Sequence, residues 1–156
     1  MKTSILGVGN PILSDDSAGL RVAQALKGRF DEHQVTVLET SRSWFDIVDM
    51  FPGHERVIII DAIQMREQKI GEVCRLSPEN LEAGAYCISP HNVNLAGALK
   101  AAKRLGMALP SEIVIFAIGV ADVTTLSEDC APEVKRAVEA AVEMVIRELE
   151  HAYSKY

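Results

Sequence analysis

Four consecutive β-branched residues, Val57-Ile58-Ile59-Ile60, constrain this chain more than any other stretch of it. An unbroken apolar run has no polar side to offer water, so a strand built from it must be covered on both faces. That is the situation of a central strand in a parallel sheet. A second such run, Ile113 to Ile118, asks for a second central strand. Parallel neighbours need long crossover connections, usually helices, and the intervening segments read as helices.

Thr3 to Val8 is a further buried strand, followed by helical spacing of Ala18, Val22, Ala25 and Leu26 within Ser17 to Arg29. Gln34 to Glu39 alternates, with Val35 and Val37 on one face. Trp44 to Phe51 has a helical pattern stopped by Pro52-Gly53. Glu72 to Leu76 reads as a short edge strand and Ala85 to Ile88 as another. Asn94 to Leu105 reads as a helix ended by Gly106, and Pro132 opens a last helix with Val134, Val138, Ala141, Val142, Val145 and Leu149 down one face. Strands alternating with helices in this way predict one α/β domain over residues 1–156, a three-layer α/β/α sandwich around a mostly parallel twisted sheet.

The chain carries 16 basic and 22 acidic residues, a net charge of -6. This balance argues against a nucleic-acid footprint or an anionic membrane partner. The apolar stretch before Gly7 is too short for a signal-peptide core, and no run approaches the length of a membrane span. Cys74, Cys87 and Cys130 are scattered, with no Cys-x-x-Cys pair. The expectation is a cytoplasmic protein, read as a monomer.

The first strand runs into Gly7-Val8-Gly9-Asn10-Pro11, then Ser14-Asp15-Asp16-Ser17-Ala18-Gly19. Glycines here permit a sharp turn and close approach of backbone to a ligand. A dinucleotide fingerprint needs a third glycine where Ile12 stands, and a phosphate loop needs a Gly-Lys-Ser/Thr ending that is missing. One acid suffices to cap the following helix, and Asp15 is read as that cap, which leaves Asp16 beside a strand-to-helix loop.

Asp61 directly follows the most hydrophobic run, where an acid either binds backbone amides or belongs to a site. His91 lies in Ser89-Pro90-His91-Asn92, read as a loop, and is either a bystander or a ligand. His33, His54 and His151 read as bystanders. Taken together, Asp16, Asp61 and His91 each follow an expected strand at its carboxyl end, so their loops should open on one edge of the sheet, where open α/β sheets bind ligands. Two carboxylates and an imidazole suit zinc, iron or nickel without choosing among them. No His-Glu-x-x-His helix and no Gly-x-Ser-x-Gly elbow is present.

Gly-Val-Gly-Asn-Pro-Ile-Leu-Ser-Asp-Asp-Ser-Ala-Gly, then Ile-Asp-Ala, then Ser-Pro-His-Asn resemble, in that order, the nickel-iron hydrogenase maturation endopeptidases. The resemblance covers most of the chain. It implies an enzyme that removes a C-terminal extension from the hydrogenase large-subunit precursor after nickel insertion. It also implies that Asp16, at a position where the family has Asp or Glu, contacts the metal together with Asp61 and His91, and that the nickel arrives with the substrate. The chain departs from the family at Glu39-Thr40-Ser41-Arg42, where a Gly-Gly-Thr or Gly-Gly-Ser type of segment is frequent. It departs again at Val120-Ala121-Asp122-Val123, where many members carry proline. Both departures bear on which hydrogenase is processed.

Two rival readings share the architecture. A peptidyl-tRNA hydrolase also runs its first strand into Gly-x-Gly-Asn-Pro, but needs a histidine soon after the turn and a basic face, where this chain has Asp15-Asp16. A nucleotide-binding or interaction module is weakened by the failed fingerprint.

Overall fold

The structure, a computed structural model, describes residues 1–41, 44–64, 70–82, 90–120, 126–127 and 129–153, with the backbone alone for 44–45, 64, 81–82, 90–94 and 96. Strands β1 (Thr3–Val8), β2 (Val35–Thr40), β3 (Arg56–Gln64), β4 (Val73–Leu76) and β5 (Glu112–Val120) form one sheet. Helices α1 (Ala18–Leu26), α2 (Trp44–Val48), α3 (Pro78–Glu82), α4 (Pro90–Arg104) and α5 (Pro132–Tyr153) accompany it, with a 3-10 turn at Ser14–Ser17. The strand order is β2-β1-β3-β5-β4. All pairings are parallel except that of β4, which lies antiparallel at the edge beside β5.

The run at Val57–Ile60 behaves as its composition demands. Ile58 and Ile60 point into a core shared with Val22 and Leu26 of α1 and Val134, Ala141 and Val145 of α5. Val57 and Ile59 point to the other face, among Ile47, Val48 and Phe51 and, from α4, Leu95, Ala98 and Ala102. All four are fully buried, and each such burial contributes about 1.5–3 kcal/mol. The second run divides in the same way, with Val114, Phe116 and Ile118 toward α1 and α5, and Ile115 and Ala117 toward α2 and α4. The three-layer sandwich is therefore a direct consequence of strands with two apolar faces.

Several boundaries differ from the sequence reading. α2 ends at Val48, and Met50 and Phe51 continue as turns whose amides bond back to Ile47 and Val48. β3 does not stop at Ile60. Ala62 and Ile63 are buried too, and the strand pairs with β5 as far as Gln64. α4 begins at Pro90, because proline, with no amide hydrogen to satisfy, fits the first helical position. The expected strand at Ala85–Ile88 lies outside the described residues, as do Arg42, Ser89 and 121–123.

Candidate active site

The sheet reverses its order at β1: the chain leaves β1 for β2 on one side and returns to β3 on the other. The crevice at such a switch point, at the carboxyl ends of the strands, is where open α/β sheets bind ligands. Val8, the last residue of β1, pairs with Thr40 on one side and Asp61 on the other. Asp61 therefore lies within β3, not past its end, but stands level with the point where β1 stops.

The glycines bring the next turn onto this spot. A Cβ on Gly7 would lie 2.4 Å from the Gly19 carbonyl oxygen, and one on Gly19 would lie 2.3 Å from that of Ile60. At Gly9 it would meet the Asp16 carbonyl oxygen at 2.1 Å. These glycines make room for the chain's own helix start rather than for a ligand, and they press the Ser14–Ser17 turn over the end of β1.

The two acids of that turn have separate tasks. Neither caps α1, whose N-cap position is held by Ser17 without a side-chain capping bond. Asp15 is buried, and its Oδ1 accepts the Ala131 amide at 2.8 Å, just ahead of α5. Asp16 is half-buried, and its Oδ2 accepts the Asn10 amide at 3.1 Å. The turn is further fastened to Ser127, Asp129 and Cys130. The Ser14 amide donates to the Ser127 carbonyl at 2.9 Å, and the Ser127 amide donates to the Ile12 carbonyl at 2.9 Å. Ser17 Oγ donates to the Ser14 carbonyl at 2.8 Å, accepts from Arg21 Nε at 3.1 Å, and lies 3.4 Å from Cys130 Sγ. Ser14 itself has left-handed backbone, φ 35°, strain of the kind that persists where the surroundings enforce it. Sequence reasoning missed Asn10, Ser17, Arg21 and Cys130 and misassigned Asp15. The partners of Asp15 and Ser14 lie more than a hundred residues away in the chain, and no local signal encodes them.

Burial pushes the Asp61 carboxyl well above the usual carboxylate range, the Asp16 charge adds to this, and a hydrogen bond from the Ala62 amide opposes it. Two neighbouring carboxylates that cannot comfortably ionise together form a proton donor–acceptor pair. When both ionise, they form an oxygen pair for a divalent cation. His91 is the second residue of α4, in its first turn and not in a loop; its side chain lies outside the described residues. α4 leads through 105–111 into the start of β5, so in a crossover of this kind its own start belongs to the edge where the parallel strands end. Among the described residues no third acidic, cysteine or histidine side chain completes a ligand set with the two aspartates. Cavity size does not locate this site: a cavity of about 590 Å³ lies elsewhere, lined by Arg29, Phe30, Val35, Leu149 and Tyr153 among others.

A mostly parallel α/β sandwich with a carboxylate pair at its switch point belongs to the class of small α/β enzymes that work at the strand ends. Within that class, the description "Hydrogenase maturation protease" (HycI) matches residues 20–148, and the chain belongs to that family of peptide-bond hydrolases. Asp61 and His91 fall inside the matched stretch and Asp16 just before it. The hydrogenase 2 maturation protease of Escherichia coli K12 is 27% identical over 151 residues, covering 96% of this chain and 91% of that protein. The solved structure of the E. coli hydrogenase maturating endopeptidase HybD superposes with a TM-score of 0.82 at 27% identity, covering 97% of this chain and 94% of the other. The [NiFe] hydrogenase maturation protease HybD of Thermococcus kodakarensis is 31% identical, with a TM-score of 0.73, covering 94% of this chain and 98% of the other.

Proposed function

We propose that this chain cuts a C-terminal extension from the large-subunit precursor of a nickel-iron hydrogenase, and that it recognises nickel already held by that precursor through Asp16, Asp61 and His91. The observation that carries this reading is Asp61, a buried carboxyl made harder to ionise by a second carboxylate that the fold holds beside it. Two carboxylates held side by side in this way offer an oxygen pair to a cation delivered from outside. The imidazole of His91, at the start of α4, supplies the third ligand, and the O,O,N set leaves positions open for the precursor's own ligands. The aspartates thereby fix the register of the peptide against the site, and a carboxylate at this edge takes the proton from the attacking water. The nickel, which comes with the substrate, supplies Lewis acidity toward the scissile carbonyl.

We read the enzyme further as a cytoplasmic monomer acting as a single domain. The thiols of Cys74 and Cys130 are free, which suits a reducing compartment, and among the described residues no helix is long and apolar enough to cross a membrane. The test is to offer the purified protein nickel-loaded and nickel-free precursor and follow release of the C-terminal peptide. Cleavage of the loaded form alone is expected, and equal cleavage of both would sink the metal-recognition idea. Normal cleavage by Asp16→Ala or His91→Ala would remove those residues from the site.

A further inference from the structure

Exposed large hydrophobic residues among the described residues are Met1 at 44%, Ile12 at 52%, Leu105 at 79% and Leu126 at 74%. Met1 lies ahead of β1, at the opposite end of that strand from the switch point, and Leu105 follows the end of α4, likewise away from it. Ile12 and Leu126 are different because the fold pairs them. Leu13 and Ser127 form an isolated parallel β-bridge, and the Ser127 amide donates to the Ile12 carbonyl at 2.9 Å, which fastens the backbone of Ile12 to that of the residue after Leu126. Leu13 and Ser127 are half-buried, while Ile12 and Leu126, the residue before each, are exposed.

The pair is held in place by its backbone. Ile12 sits at the tip of a turn in which its own amide donates to Asn10 Oδ1 at 3.2 Å and the Leu13 amide donates to the Asn10 carbonyl at 3.3 Å. The same turn leads into the candidate site, since the Asp16 amide donates to the Leu13 carbonyl at 2.8 Å. Isolated surface aliphatics are ordinary. Two of them, fastened side by side on the loop that presents a site carboxylate, form a small apolar ridge at its rim.

We infer that the Ile12–Leu126 ridge is a docking element for an apolar segment of the polypeptide substrate next to the bond to be cut. This rests on the function proposed above. The ridge is continuous with the Asp16 turn, so a polypeptide entering the site passes over it. A second copy of the chain is a poorer occupant, because two side chains expose a few hundred Å² at most, whereas a stable dimer buries roughly 800 Å² per partner. An apolar pair beside an acidic site also divides the work: the carboxylates select charge, and the ridge selects an aliphatic or aromatic neighbour in the sequence.

The experiment compares steady-state cleavage of nickel-loaded precursor by the wild-type protein, the double variant Ile12→Ser with Leu126→Ser, the conservative pair Ile12→Val with Leu126→Met, and Leu105→Ser as a remote control. The double variant should raise KM about tenfold, with a much smaller effect on kcat and an unchanged melting temperature, since both side chains already face solvent. The conservative pair should stay within about twofold of wild type, and Leu105→Ser should leave KM unchanged. An unchanged KM in the double variant overturns the docking inference while the wild-type cleavage keeps the functional reading intact. An equal rise in KM for Leu105→Ser overturns it as well, because the effect would then belong to surface hydrophobicity at large. No cleavage by the wild-type protein overturns the functional reading itself, and the ridge's role with it.

Discussion

Strand β3 buries two charge-bearing side chains, one at its first residue and one level with the end of β1, and the two are treated in opposite ways. Arg56, at the first residue, is 2% exposed and is met by carboxylates: its Nε lies 3.0 Å from Glu112 Oε2, and its Nη2 pairs with Glu148. Arg75 of β4 joins them, donating from Nε and Nη2 to Glu148 at 2.9 and 2.8 Å. Asp61, further along the same strand, is 6% exposed, and among the described residues the charge that bears on it is another carboxylate, Asp16. A buried ion with counter-ions has its desolvation cost largely offset. A buried acid beside a like charge keeps that cost, and such arrangements are tolerated where a partner from outside is expected. One edge of the sheet is closed electrostatically, and the other is left open.

The largest test of this contrast is Asp61→Asn. The amide keeps the shape but can neither ionise nor take a proton, which removes the cost of burying a charge and the repulsion with Asp16, and cleavage of the loaded precursor should fall by about 10²–10⁴-fold. At neutral pH the substrate-free protein should nonetheless become more stable, read as a rise in melting temperature. Loss of activity accompanied by loss of stability would show that Asp61 is a structural acid, and the contrast between the two ends would collapse.

At the closed edge the expectation inverts. Arg56→Met removes the cation shared by Glu112 and Glu148 and should destabilise the fold by about 2–3 kcal/mol. That is less than the 3–5 kcal/mol typical of a broken buried pair, because Glu112 is 47% exposed and Arg75 still holds Glu148. Cleavage at a temperature where the variant is folded should remain within about twofold of wild type. A large drop in activity with little drop in stability would mean that the two ends of β3 are coupled.

The open edge was legible in the sequence and the closed one was not. The Val57–Ile60 run fixes a central strand because nothing else satisfies four adjacent β-branched residues, and from it follow the sheet, the switch point and the position of Asp61. Its error was local: reading β3 as ending at Ile60 ignored Ala62 and Ile63, which continue the apolar pattern. Pro90 misled for a similar reason, since proline restricts the residue before it and also starts helices. Only tertiary structure could supply the rest. Arg56 looks like a polar strand flank until β5 and α5 bring Glu112 and Glu148 to it. Asp15 looks like the cap of the helix it precedes until residue 131 arrives from the other end of the chain.

The smallest expected effect separates the two ends by their pH dependence. Glu148 is held below the usual carboxylate range, chiefly by its hydrogen bonds from Arg75 and further by the Arg56 charge. A carboxyl whose pKa is lowered on folding contributes stability above its unfolded value and loses it as pH falls through the folded value. Asp61 has the opposite sign: its folded pKa is raised, so its favourable contribution is present below the unfolded value and is lost as pH rises through the folded one. Glu148→Gln should therefore flatten the decline in stability toward acid, below about pH 5, and leave the neutral side unchanged. Asp61→Asn should flatten the decline on the neutral side and leave the acid limb. The Glu148 effect should be under about 1 kcal/mol at its greatest, because Arg75 is 48% exposed and its pairing is screened by water. Urea denaturation midpoints measured across the pH range for the two variants decide the matter. If Asp61→Asn altered the acid limb instead, Asp61 would be ionised and paired in the folded protein, and the open edge would be as closed as the other.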